Sequence, residues 1–261
     1  MRRPSGRAIV GTVASAAVAA AAWEAFARSG TFSTALTPSV LLIVAALGRM
    51  ILDGSIFLHT LYTLYRIAVG LALAAVVGVP IGMLMGRFGW AERFVVPLVS
   101  VLSPIPSLAW VPLFILWFGL GDAASIALVL YAATFPFILN TWTGVRSVNN
   151  LWIRAAQAMG ADGRSLFRKV VLPGSLPFVI AGFRQAFARS WIAVVGGEMI
   201  AATSWGLGWV IFDSKEFLNT DVMLATLLVI GVVGLAFERL VFQALERRTV
   251  GAWGMVRTAR G

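Results

Sequence analysis

The chain has 261 residues, of which 59% are hydrophobic and only 12% charged, with a mean hydropathy of +0.89. An average soluble domain carries about 25% charged residues, so this composition excludes a water-soluble globule and points to a polytopic membrane protein. The absence of cysteine and a single histidine, His59, exclude disulfides, thiolate metal sites and a histidine-rich metal centre, which leaves the net charge of +10 to be explained.

Six apolar segments follow one another along the chain, near 8–27, 61–86, 97–118, 123–144, 178–202 and 222–245. Each can cross about 30 Å of hydrocarbon at about 1.5 Å per residue. None alternates with period two, so they read as helices rather than barrel strands. The expected fold is therefore all-α and membrane-integral, with about six transmembrane helices. The first segment follows MRRPSGR and has the outline of a signal peptide, but its apolar run continues past Trp23, which favours a retained helix. Glu24 reads as interfacial. The second carries Arg66, and its Gly78, Gly82 and Gly86 around Pro80 read as a surface for close helix packing rather than a hinge. His59, at its outer boundary, also reads as interfacial.

The third segment holds Pro104, Pro106 and Pro112, too many for a straight helix. Broken backbone at this depth either lines a pathway or is buried as kinked packing. The fifth holds Arg184, Arg189 and Glu198. Arg184 reads as snorkelling to the inner surface. Arg189 is deeper and has the chemistry to meet an anion. Arg66 and Glu198 lie at similar depths, so either they form a buried pair near an outer gate or each finds another partner. The stretch GLGWVIFDSKEF after Gly206 reads as an outer loop, and Trp90, Trp142, Trp152, Trp205 and Trp209 fall near segment ends, where aromatic belts belong.

Charge placement sets the orientation. Fifteen of the 21 Lys and Arg residues, from Arg2 and Arg3 through Arg164, Arg168 and Lys169 to Arg257 and Arg260, share the side of the N-terminus. Only Arg28, Arg49 and Lys215 fall opposite, where Asp53, Asp122, Asp213, Glu216 and Asp221 also lie. The positive-inside rule then expects both termini in the cytoplasm, and the +10 charge needs no nucleic acid. Neither lysine sits in a GxxxxGK[ST] pattern, and GxSxG, HExxH and paired carboxylates at catalytic spacing are missing. With no catalytic residues and no metal ligands to nominate, the chain reads as one that moves a solute rather than transforms it.

The connection 145–177 carries the most information. Leu151–Met159 reads as a short helix, Gly160 as its left-handed stop, Asp162 as the cap of a second helix over Gly163–Val170, and Leu172-Pro173 as the end of that helix. Leu166 and Phe167 would face a partner. Within it, Arg154, Ala155, Ala156, Gly160, Val170, Leu172 and Pro173 keep every spacing of the pattern Glu-Ala-Ala, three residues, Gly, nine residues, Ile, one residue, Leu-Pro. This loop resembles the signature of the membrane subunits of bacterial ATP-binding cassette (ABC) importers. Val170 replaces isoleucine conservatively, whereas Arg154 replaces the glutamate and removes its carboxylate.

From about Leu36 onward the chain is similar to the nitrate/sulfonate/taurine/bicarbonate branch, in stretches such as PIPSLAWVPLFILWFGLGDAASIAL and GFRQAFARSWIAVVGGEMIAATSWGLGWVI. The resemblance implies the type I importer fold, with an N-terminal helix and periplasmic segment over 1–60, a permease core over 61–250 and a cytoplasmic tail over 251–261. It implies a second permease copy, two cytoplasmic ATPase subunits carrying ATP and Mg, a periplasmic or lipid-anchored binding protein, and an inner-membrane location among lipids. The loop would be the coupling helix docked on the ATPase, with Leu172-Pro173 and Pro177 making a rigid lever to the fifth segment. Arg66, Arg189 and Glu198 would be candidate translocation or gate residues. The rival readings are a stand-alone secondary transporter or channel, which would need a cluster of intramembrane acids and repeat symmetry, and a membrane-embedded enzyme.

Overall fold

A computed structural model describes residues 6–242, in eleven α-helices joined by short turns. They are α1 (Gly6–Arg28), α2 (Val40–Leu52), α3 (Ser55–Arg87), α4 (Gly89–Leu102), α5 (Val111–Phe118), α6 (Asp122–Arg146), α7 (Asn150–Ala158), α8 (Gly163–Leu166), α9 (Leu172–Ala201), α10 (Leu207–Glu216) and α11 (Thr220–Ala236). Four stretches are long and apolar enough to cross a membrane: α3, α6, Gly163–Ala201 and Thr220–Leu240. The pair α4 and α5 makes a fifth when taken as one crossing, and α1, 23 residues long, coincides with the first expected segment. The last part of the sixth expected segment, to 245, and the tail 251–261 lie outside the described residues, as do Arg2, Arg3, Arg247, Arg248, Arg257 and Arg260.

The core is α6, held between α3 and α9. Lipid offers no hydrophobic drive for helices to associate, so close packing depends on small residues. Gly70, Gly78, Gly82 and Gly86 supply that surface on α3. A Cβ at these positions would lie within about 2.7 Å of Val129, Phe137, Thr141 and Val145 in turn. The pairing advances in step along both helices, so α3 and α6 run parallel. On the other side the sense reverses: Gly182 faces Asn140, and Gly197 faces Leu128, so α9 runs antiparallel to α6. Ile67, Leu71, Val129, Phe137, Ala186 and Val194 fill the three-helix seam. The expectation of a packing surface at Gly78, Gly82 and Gly86 agrees with this arrangement.

Three expectations need correction and one is borne out. Helix α3 begins at Ser55 rather than near 61, which carries His59 into the bundle instead of leaving it at an interface. The break expected from the three prolines is present: Ser103–Pro106 interrupts the third segment, and α4 and the stretch Ser107–Phe118 meet at 86°. Proline supplies no N–H at 104 or 106, whereas Pro112 falls in the first turn of α5, where none is required. The stretch after Gly206 is a helix, α10, with Leu207, Val210 and Ile211 buried on one face. Finally, Leu172-Pro173 does not end a helix. A π-helical turn, Phe167–Val171, joins α8 to α9, and Leu172 N–H donates to the carbonyl of Phe167 five residues back. This wider spacing leaves Pro173 in the first turn of α9, so the backbone continues through it.

Candidate functional site

Three features lie along the bundle. At the α10 end, one face of α3 presents His59, Thr63 and Arg66, at helical spacings of four and three. Arg66 is 2% exposed and Glu198, on α9, is fully buried. Arg66 Nη1 lies 2.7 Å from Glu198 Oε1, while Nη2 and Nε reach Asp122 Oδ1 at 2.7 and 2.8 Å. The structure thus brings together the two charges that the sequence nominated, and adds a second carboxylate. Asp122 begins α6 and its side chain is 45% exposed, so the guanidinium bridges a dry carboxylate to one at the edge.

The other Glu198 oxygen, Oε2, accepts from Thr63 Oγ1 at 3.0 Å and from Gly208 N at 2.9 Å. Thr63 Oγ1 in turn accepts from Leu207 N at 2.9 Å, and His59 Nδ1 accepts from Gly206 N at 3.2 Å. Three consecutive amides at the start of α10 are therefore held by three side chains from α3 and α9. A helix start leaves its first N–H groups unpaired and carries partial positive charge, so a buried carboxylate is favoured there. Gly206 has φ +137°, and a Cβ on it would lie 2.6 Å from both Arg66 Nη1 and Glu198 Cδ. On Gly208 a Cβ would collide with the Val195 carbonyl oxygen. Trp209 stacks on His59 with ring centroids 5.6 Å apart, and Trp205 lies tilted against it at 5.1 Å, so two tryptophans pack on this buried ring.

Asp122, Thr63, His59, Gly206 and Gly208 were not among the residues the sequence nominated. The signal for Asp122 was its place on the same side as the outer acids. For the glycines it was the doublet in GLG, which carries no chemistry of its own.

Midway along the bundle lies a cavity of about 320 Å³. The broken stretch from Ser103 to Leu108 forms one wall, with Tyr131 and Phe135 of α6 and Arg189 and Ile192 of α9 opposite. Tyr131 Oη donates to the Leu102 carbonyl at 2.6 Å, anchoring the break to α6. The broken backbone therefore lines a cavity. Arg189 reaches this cavity and has no ion pair among the described residues. Arg184, expected to snorkel, meets Glu238 in the π-turn after α11.

At the α7 end sits the loop segment. Asn149 Oδ1 accepts from Leu151 N and starts α7; Gly160 adopts φ +81° after it; Asp162 Oδ1 accepts from Ser165 N at 3.0 Å and caps α8. Hydrogen bonds from the Ser165 side chain and backbone hold the Asp162 carboxyl below the usual carboxylate range. Ala156 is buried while Arg154 and Ala155 face outward, and Arg154 has no ion pair among the described residues. Val170, Leu172 and Pro173 lie in the continuous turn into α9. Arg87, the last residue of α3, lies between the rings of Phe88 (5.4 Å) and Phe167 (5.5 Å), and its Nη1 donates to the Gly163 carbonyl at 3.5 Å. Phe167 is thus taken up by the bundle rather than offered to a partner. The outward apolar groups are Leu151, Trp152 and Met159.

The comparisons with known proteins agree with this arrangement. Residues 78–251 match the family model "Binding-protein-dependent transport system inner membrane component". The taurine transport system permease protein of Escherichia coli K12 is 34% identical over 95% of this chain and 91% of its own length. The bicarbonate transport system permease protein of Synechococcus elongatus is 31% identical over 84% of this chain and 82% of its own. A chain from an inward-facing structure of the methionine ABC transporter MetNI superposes with a TM-score of 0.66 at 21% identity, covering 79% of this chain and 98% of that one, which supports the type I importer fold. The chain belongs to the binding-protein-dependent transport system inner membrane components, the multi-pass permease subunits of ABC importers.

Proposed function

We propose that this permease carries a small anion into the cytoplasm as one of two identical copies, above two ABC ATPase subunits that bind ATP and Mg. The solute would arrive from a periplasmic or lipid-anchored binding protein. The charge bias supports both termini in the cytoplasm, with the α7 end towards the ATPases and the α10 end towards the periplasm. Relatives with taurine, whose sulfonate is its anionic head, and bicarbonate in their names support a small cargo with an anionic group.

The observation that carries the reading is the loop segment. It is capped at both of its helices, clamped to α3 by Arg87, continuous with α9, and shows Leu151, Trp152 and Met159 outward. A connection this ordered, with exposed apolar groups, suits docking into a groove of another subunit. Movement there would reach Glu198 along one uninterrupted helix, and the Arg66–Glu198–Asp122 bridge would serve as the latch at the periplasmic end. Such alternating access needs no catalytic group in this chain; hydrolysis is the partner's work.

The test is ATP hydrolysis in lipid nanodiscs by the chain co-assembled with its neighbouring cassette ATPase. Stimulation by the loaded binding protein is expected, and its loss when Trp152 is changed to Asp while assembly from the membrane side persists. Solute flux through this chain alone, with no ATPase complex formed, would overturn the reading in favour of a channel or secondary transporter.

A further inference from the structure

The broken crossing gives this permease a feature that the loop and the latch leave unused. Arg189 is the eighteenth residue of α9, about 25 Å along the axis from Leu172 and about 18 Å from Ala201. An arginine side chain extends only about 6–7 Å, too short to bring its charge to either surface. A guanidinium at mid-membrane is costly unless it meets a carboxylate, a polar cavity or a ligand. Glu198, the nearest acid on the same helix, lies about 13 Å further along and is fully engaged by Arg66, Thr63 and Gly208. The remaining described carboxylates sit at helix ends or in turns. A second copy related by a two-fold axis along the membrane normal would present the same residues at the same depths, and so would bring no carboxylate to Arg189.

What does face Arg189 is the cavity wall. Ser103 and Ser107 stand on the broken backbone, and neither hydroxyl has a hydrogen-bond partner among the described residues. Around them the wall is apolar or aromatic: Pro104, Tyr131, Phe135 and Ile192. One fixed positive charge, two uncommitted hydroxyls and an apolar surround of about 320 Å³ make a small version of a ligand site.

We propose that Arg189, with the hydroxyls of Ser103 and Ser107, forms a binding site for the charged head of a small organic monoanion inside the membrane-spanning subunit itself. This rests on the permease reading above and adds a selectivity step there, after release from the binding protein. The single unpaired cation fits one negative charge, and the planar guanidinium can grip a sulfonate or carboxylate through two parallel hydrogen bonds. The apolar wall would take the organic part. An anionic lipid headgroup offers the same charge, but its depth in the bilayer is that of the surface rather than of Arg189.

The experiment uses the permease–ATPase complex in nanodiscs without binding protein. Equilibrium binding of radiolabelled ethanesulfonate and of methanesulfonate is measured, in phosphatidylcholine alone and with added phosphatidylglycerol. Saturable binding is expected in pure phosphatidylcholine, weakened about ten- to hundredfold by Arg189→Gln and less by Arg189→Lys, as for loss of a charge-assisted pair. Ile192→Trp, at a rim position that is 72% exposed and so tolerant of bulk, is expected to block binding without disturbing the fold. ATP-driven uptake by the complete transporter should fall in parallel. Wild-type complex that binds neither probe, binding unchanged in Arg189→Gln, or an Arg189→Gln effect on uptake seen only with phosphatidylglycerol, would each overturn the site. Those results can all occur with binding-protein-stimulated hydrolysis intact, in which case the permease reading stands. Failure of the wild-type chain to assemble with any ATPase overturns that reading instead.

Discussion

Replacing Arg66 with methionine removes the cation that bridges Glu198 and Asp122 while keeping an apolar stem of similar bulk. Glu198 is then left fully buried with the Thr63 hydroxyl and the Gly208 amide as its remaining donors. Stranding a buried charge in this way costs about 3–5 kcal/mol. Glu198→Gln is the milder change: the amide still accepts from Thr63 or Gly208, and Arg66 keeps Asp122 at 2.7 Å. Its expected cost is about 1.5–3 kcal/mol, that of a hydrogen bond to a charged group. The double variant should cost less than the two singles together, by about 1 kcal/mol or more, since the two residues act on each other directly. The assay is reversible unfolding in mixed micelles followed by tryptophan fluorescence. Equal costs for the two singles, or additivity within about 0.5 kcal/mol, would refute the buried pair as the lock. Exchanging the two charges is not expected to rescue either loss, because Thr63 and Gly208 both donate to position 198 and would face a guanidinium.

Gly206→Ala should be nearly as damaging as Arg66→Met, since it adds a Cβ 2.6 Å from Arg66 Nη1 at a φ of +137°; stability like wild type in the same unfolding assay would show that the turn can relax. Gly160→Val meets open space, so its cost is the backbone strain at φ +81°, about 1–3 kcal/mol, and it should lower binding-protein-stimulated hydrolysis while leaving the amount of assembled complex unchanged. The carboxyl of Asp162 is depressed in the folded loop, so its stabilisation is fully present above the ordinary carboxylate pKa of about 3.9 and is lost only as pH falls through the lower folded value. Coupled hydrolysis should therefore show no difference in pH profile between wild type and Asp162→Asn from pH 5 to 8, while Asp162→Ala, which removes the cap, is impaired throughout; a pH-dependent gap between wild type and the asparagine variant would contradict this.

Arg66, Arg189 and Glu198 were legible because a charge within an apolar run stands out whatever the fold. That Arg66 and Glu198 touch could be anticipated only as one of two options from depth. The role of Asp122 could not be read, because it depends on α3 and α6 running side by side with the bent pair between them. The loop yielded its stop at Gly160 and its cap at Asp162 because those are local backbone chemistry. Its junction misled for the same reason: a proline after leucine ordinarily ends a helix, and only the π-turn at Phe167–Val171 lets Pro173 pass. Helix α10 was missed because glycine, aspartate, serine and lysine give its sequence the composition of a loop, and its start is made by side chains far away in the chain.

Those side chains make hydration part of opening. The amides of Gly206, Leu207 and Gly208 each spend their hydrogen bond on a different residue of α3 or α9, so drawing the two helices apart frees all three within one displacement of a few ångströms. Unpaired amides do not survive in a dry interior. Water must therefore enter as the helices separate, and must leave before they can close again. The α10 end would then switch between a sealed, dry state and a wetted one with little stable ground between them, and its opening rate should slow as the activity of bulk water is lowered.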